Sequence, residues 1–165
     1  EIPLSEFFDS YNLNVIAGLR LIHHFAPAMA ERGWGRIINI SSAVGRQAMN
    51  AMHDYGAAKM ALENLSLNLS MDLARNGVTV NTVIPGMILT PTAHGFLDEL
   101  RDHFGWPDDP AEIQRRYTLE VAPQPVPRFG DPSEIAAAIA FLASPVSDYT
   151  TGAVLRVDGG MTRGL

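Results

Sequence analysis

Cysteine is absent from the 165 residues, which excludes disulfides, thiolate nucleophiles and Cys-ligated zinc or iron–sulfur sites. Charge is scarce as well, at 18% of residues, and basic charge scarcer still. Twelve Lys and Arg against 18 Asp and Glu leave a net charge of −6. Phosphate backbones are held by clustered positive charge, so no nucleic-acid partner is expected. No apolar run approaches the ~20 residues of a membrane span, so no membrane contact is expected and a cytoplasmic location is. The chain opens Glu1-Ile2-Pro3-Leu4-Ser5, without Met or a basic stretch, which predicts no signal peptide and a start further upstream. His23 and His24 are neighbours on a helix and diverge, one toward core or interface and one toward solvent. His53, His94 and His103 have no partnering carboxylate pattern, so no metal site is expected. What the chain does have is 47% hydrophobic residues, enough for a folded core at a length that favours one domain.

Apolar periodicity predicts a long helix from Ser5 to Arg32 (Phe7, Phe8, Tyr11, Val15, Leu19, Ile22, Phe25), with Ser5 as its cap and Gly33 as its stop. Gly35 to Ile40 reads as a short strand, and Ser41 to Asn50 as a loop. A second long helix is expected from His53 to Arg75, stopped by Asn76-Gly77. The β-branched run Val78 to Ile84 reads as a buried strand broken by Pro85-Gly86. Residues 91–127 are proline-rich, with short helices near Ala93–Phe104 and Pro110–Glu120. Asp131-Pro132-Ser133-Glu134 opens a helix through Leu142, and Ala153 to Val157 is a last strand closed by Asp158-Gly159-Gly160. Short apolar strands alternating with helices predict an α/β parallel sheet covered on both faces, and three strands opening on a helix predict the second half of a doubly wound domain.

In such a sheet ligands bind beyond the carboxyl ends of the strands, here Ser41-Ser42 and Pro85-Gly86. Tyr55 and Lys59, four residues apart on the helix that follows, share one face. A Lys ammonium beside a Tyr hydroxyl favours the phenolate, and Ser42 on the neighbouring loop could hold a carbonyl oxygen. By itself Tyr-x-x-x-Lys is more often a surface Tyr beside a solvated Lys.

The wider pattern is specific. Asn39-Ile40-Ser41-Ser42, then Tyr55-Gly56-Ala57-Ala58-Lys59 with Ser42 thirteen positions before Tyr55, strongly resembles the short-chain dehydrogenase/reductase family. Asn14 in Leu13-Asn14-Val15 matches the Asn of that family's catalytic tetrad. Pro85-Gly86-Met87-Ile88-Leu89-Thr90 resembles its cofactor-contacting Pro-Gly motif, and Arg128 to Glu134, Phe141 to Ser144, Thr151-Gly152 and Val157 to Gly160 resemble its C-terminal signature.

The resemblance implies a Rossmann-like sheet and an NAD(P)-dependent oxidoreductase that interconverts a secondary alcohol and a ketone of 3-oxoacyl or similar type. By the same resemblance Tyr55 is the acid/base, Lys59 favours its ionised form and binds the nicotinamide ribose, and Ser42 orients the substrate oxygen. Asn14 holds a water behind Lys59, while Pro85, Gly86, Ile88 and Thr90 meet the nicotinamide end of NAD or NADP. It also implies a substrate lid at 91–127 and a homo-oligomer, dimer or tetramer, formed through the two long helices.

One part of the family pattern has no counterpart. No Gly-rich turn follows a strand to cradle a pyrophosphate, and the Asn-Asn-Ala-Gly motif is missing. The expectation is therefore an incomplete domain across residues 1–165, the C-terminal half only, with doubtful activity by itself. The alternative is a truncated, non-catalytic relative acting as a binding or interaction module.

Overall fold

The computed structural model describes residues 2–163. The chain begins with helix α1, Leu4–Tyr11, which runs without a break through one wide π turn, Asn12–Ile16, into α2, Ala17–Glu31. Pro3, not Ser5, stands at the N-cap and makes no side-chain cap bond; Ser5 lies inside the first turn. The stop is as expected: Gly33 takes φ +69°, and Trp34 N–H reaches back to Met29 O at 3.2 Å.

Strand β1, Gly35–Ile40, leads to α3, Ala43–Arg46, a four-residue helix inside the segment expected to be a loop. Ser42 caps it: its Oγ accepts from Val44 N–H at 3.3 Å. Helix α4, His53–Leu73, carries the chain back, and the glycine stop follows at Gly77, φ +73°. Strand β2, Val78–Pro85, is buried along Val78 to Ile84, as its unbroken apolar and Thr/Asn run requires at the centre of a covered sheet. Helices α5, Pro91–Phe104, and α6, Pro110–Arg116, fill the proline-rich segment. Each has its proline in the first turn and a side-chain cap, Thr90 and Asp109. Helix α7, Pro132–Ala143, opens on a complete capping box between Asp131 and Glu134. Strand β3, Val154–Val157, ends the sheet.

The sheet is parallel throughout, in the order β1-β2-β3. Ile40 pairs with Val83 and Pro85 with Val157, so the three strands deliver Ser41-Ser42, Gly86 and Asp158 to one rim. Below the rim, Ile22, Ala26, Ile37, Val78 and Val80 join α2 to the sheet. Helices α5 and α6 form their own core with Ala93, Leu97, Leu100, Ile113, Tyr117 and Phe129, the aromatic rings meeting edge to face. Among the described residues no helix is long and apolar enough to cross a membrane.

Candidate active site

The rim at the carboxyl end of β1 gathers Ser42, Tyr55 and Lys59. Lys59 is the only lysine in the chain; the rest of the 12 Lys and Arg are all Arg. It stands one helical turn beyond Tyr55, its Nζ 5.4 Å from the centre of the Tyr55 ring. The same ammonium donates to Ile40 O, the last carbonyl of β1, at 2.9 Å. Burial pushes the Lys59 pKa below its ordinary value, because a half-buried ammonium loses hydration that one backbone carbonyl replaces only in part. That incomplete screening strengthens the field it exerts on the neighbouring phenol.

Asn14 lies in the π turn. Its Nδ2 donates to Ser10 O at 2.9 Å, which spends the side chain on the helix itself. The next residue, Val15, packs against Ala58 and Leu62 of α4, so the wide turn rests on the helix face adjoining Lys59. A π turn displaces backbone carbonyls from the regular ladder, and such turns recur at functional positions.

The second wall is the segment after β2. Gly86 N–H donates to Val157 O at 3.1 Å, and a Cβ on Gly86 would stand 2.8 Å from Asp158 Cα and 2.9 Å from its carbonyl oxygen. Ile88 pairs in a single bridge with Gly130; Leu89 N–H bonds Gly130 O, and Gly130 N–H bonds Met87 O, both at 2.8 Å. Thr90 holds α5 by its cap bond to Ala93 N–H at 3.3 Å. So Pro85, Gly86, Ile88 and Thr90 form a tethered strip along the rim. Met49 and Met87 pack against Ala43, Ile84 and Met161. The carboxylate of Asp158 accepts from Gly160 N–H and from Thr162 N–H, each at 3.0 Å. Burial raises its pKa, but hydrogen bonds from Thr162 and Gly160 outweigh that and hold it below the ordinary Asp value.

Two residues with a stake in this geometry, Glu63 and Arg46, carried no motif. Glu63, buried on α4, accepts from Ser41 Oγ at 2.6 Å and from Arg46 Nε at 2.9 Å. Their available signal was position: Glu63 follows Lys59 by four residues and so shares the face of Tyr55 and Lys59. His23 and His24 are both exposed, so neither faces the core. No cluster of three or more His, Asp or Glu able to hold a metal occurs among the described residues.

Known proteins match this arrangement over nearly all of the chain. The family model described as enoyl-(acyl carrier protein) reductase covers residues 1–162. The chain belongs to the short-chain dehydrogenase/reductase family. It is 37% identical to a 3-oxoacyl-(acyl-carrier-protein) reductase of Vibrio cholerae serotype O1, across 94% of this chain and 57% of that protein. It is 36% identical to an acetoacetyl-CoA reductase of Allochromatium vinosum, across 91% and 54%. A solved structure of a short-chain dehydrogenase/reductase family protein superposes with a TM-score of 0.78 at 32% identity, covering 97% of this chain and 59% of that one. Acetoin dehydrogenase from Salmonella typhimurium gives 0.76 at 28% identity, covering 98% and 57%. The chain thus spans little more than half the length of the relatives it matches.

The family implies an NAD(P) cofactor, and the described residues would fit its nicotinamide end. They offer a cation at the end of β1, a glycine where two backbones touch, and a backbone strip ending in the Thr90 hydroxyl. They offer no Gly-rich turn between a strand and a helix N-terminus for the pyrophosphate.

Proposed function

We propose that the protein containing this chain reduces a ketone to a secondary alcohol, and runs the reverse oxidation, with NAD(H) or NADP(H). The observation that carries this reading is the placement of the one lysine: one turn from Tyr55, half-buried, and bonded to the carbonyl at the end of β1 beside Ser42. When bound, the nicotinamide supplies or accepts the hydride. In the reductive direction the Tyr55 hydroxyl gives its proton to the substrate oxygen, and the Lys59 charge stabilises the phenolate left behind. The Ser42 hydroxyl donates a hydrogen bond to the same oxygen and supports its developing negative charge. Asn14, through the widened turn, holds a water on the path that returns a proton toward Lys59. Pro85, Gly86, Ile88 and Thr90 line the carboxamide side.

The substrate class is a 3-oxoacyl thioester or similar ketone. Two of the named relatives act on such compounds, and the apolar α5–α6 unit, joined to the rim at Leu89 and Thr90, supports a lid across residues 91–127. A homo-oligomer is supported by apolar side chains left exposed along one helical run, Leu4, Phe8, Leu13, Leu21 and Phe25.

The test is Tyr55→Phe in the whole protein, with acetoacetyl-CoA as substrate. Removing the proton donor while keeping the ring lowers turnover by about 10²- to 10⁴-fold and leaves NADH or NADPH binding, read by fluorescence, in place. Turnover that survives the substitution overturns the assignment.

A further inference from the structure

Helix α3 is only four residues long, yet Ser42 at its cap must meet a substrate oxygen within a few tenths of an ångström. Propensity cannot hold so short a helix. Its position is set from α4. Ser41, the residue before the cap, donates its hydroxyl proton to Glu63 Oε1 at 2.6 Å; the Lys59 carbonyl, at 3.3 Å, is the poorer acceptor. Arg46, the last residue of α3, donates to Glu63 Oε2 from Nε at 2.9 Å and from Nη2 at 2.8 Å. The two ends of segment 41–46 therefore hang on the two oxygens of one carboxylate, which is 5% exposed. That carboxylate rides on the helix that bears Tyr55 and Lys59. Lys59 adds a further tie by bonding Ile40 O. There is no slack between the two helices, since a Cβ on Gly56 would stand 3.1 Å from the Val44 carbonyl oxygen.

We propose that Glu63 is a positioning residue: acting through Ser41 and Arg46, it sets the Ser42 hydroxyl against Tyr55. This rests on the oxidoreductase reading above. Glu63 touches neither substrate nor cofactor, and its side chain is spent on the tether. A buried carboxylate satisfied on both oxygens is costly to leave half-paired, so the tether is stiff.

The test is a double-substitution cycle in the whole protein with acetoacetyl-CoA. Glu63→Gln keeps the size but leaves one acceptor oxygen where Ser41 and Arg46 had two, so whichever way the amide turns one of the two donors loses its carboxylate oxygen. It lowers kcat about 10- to 100-fold and leaves the KM for NADPH or NADH within about twofold. In a Ser42→Ala background the same change moves kcat by less than about twofold, because the residue it positions is gone. Arg46→Lys retains more kcat than Arg46→Met. An equal loss in both backgrounds, or no loss in either, overturns the proposal. Should Glu63→Gln not fold, Ser41→Ala, which deletes one hydroxyl, gives the same pattern of dependence on Ser42. If the unsubstituted protein turns over no ketone, the oxidoreductase reading falls. The tether is then decided by amide exchange: faster exchange at Val44 and Gly45 in Glu63→Gln supports it, and unchanged exchange refutes it.

Discussion

Gly86→Ala isolates one steric requirement of the rim. Gly86 is not among the residues with positive φ, so an alanine meets no backbone penalty there. The obstacle is space. The new Cβ would stand 2.8 Å from Asp158 Cα, 2.9 Å from its oxygen and 3.1 Å from its carbonyl carbon, against about 3.5–4.0 Å for an unstrained carbon–carbon contact. The obstructing atoms are backbone and cannot turn aside as a side chain would. Gly86 N–H is itself bonded to Val157 O, so relief must part β2 from β3 at the rim. Overpacking of this kind costs about 1–3 kcal/mol, and for a chain of this size about 2–4 °C of melting midpoint is lost per kcal/mol, giving a fall of roughly 2–12 °C. Gly95→Ala is the control. It sits inside α5 with nothing within 4 Å of a Cβ, and the same substitution there stabilises by about 0.5–1 kcal/mol. Thermal unfolding followed by circular dichroism reads both. Equal midpoints for the two variants would refute the claim that Gly86 is demanded by a close approach.

Burial holds the Lys59 pKa below 10.5, and this chain has no other lysine, so selective lysine labelling gives one side-chain ε signal; its NMR titration midpoint falls below 10.5, and a midpoint at or above that value contradicts the half-buried placement. Glu134, hydrogen-bonded by Arg128, and Glu112, by Arg115 and Arg116, are both held down to about 2. Their folded values lie below the unfolded one near ~4.3, so the stability they add is present above that pH and is lost as pH falls toward 2. Glu134 is exposed and Glu112 only half-buried, so salt weakens the effect. The melting midpoint drops across that acid range at low salt, and Arg128→Gln shallows the drop; a flat profile contradicts the pairing.

The strands could be read from sequence because their cause is local. Val78–Pro85 is a largely β-branched run bounded by glycines, and its burial at the centre of a covered parallel sheet matches its composition; Gly35–Ile40, a shorter apolar run beside it, is only partly buried. Helix ends set by caps were also legible, as at Asp131 and Gly33. Helix α3 was not, since four residues show no period, and it exists because Glu63 and the Ser42 cap hold it. Nor was the π turn at Asn12–Ile16, because one extra residue per turn hardly disturbs the spacing of Val15, Leu19 and Ile22. At the site, Ser42, Tyr55 and Lys59 stood out through fixed spacing. Glu63 did not, since a lone Glu on a helix is ordinarily solvated, and its burial follows from Arg46 arriving from another element.

The account's central claim is a hydride delivered to a ketone at the rim where Lys59, Tyr55 and Ser42 meet. NADPH or NADH carrying deuterium on the transferring face of nicotinamide C4 is mixed with acetoacetyl-CoA and the whole protein, and the product is read by mass spectrometry and NMR. The account predicts a 3-hydroxybutyryl product with one deuterium at C3, formed about 10²- to 10⁴-fold more slowly when Tyr55→Phe replaces the unsubstituted protein. A product without deuterium at C3, or no product from protein that binds the cofactor, would contradict it.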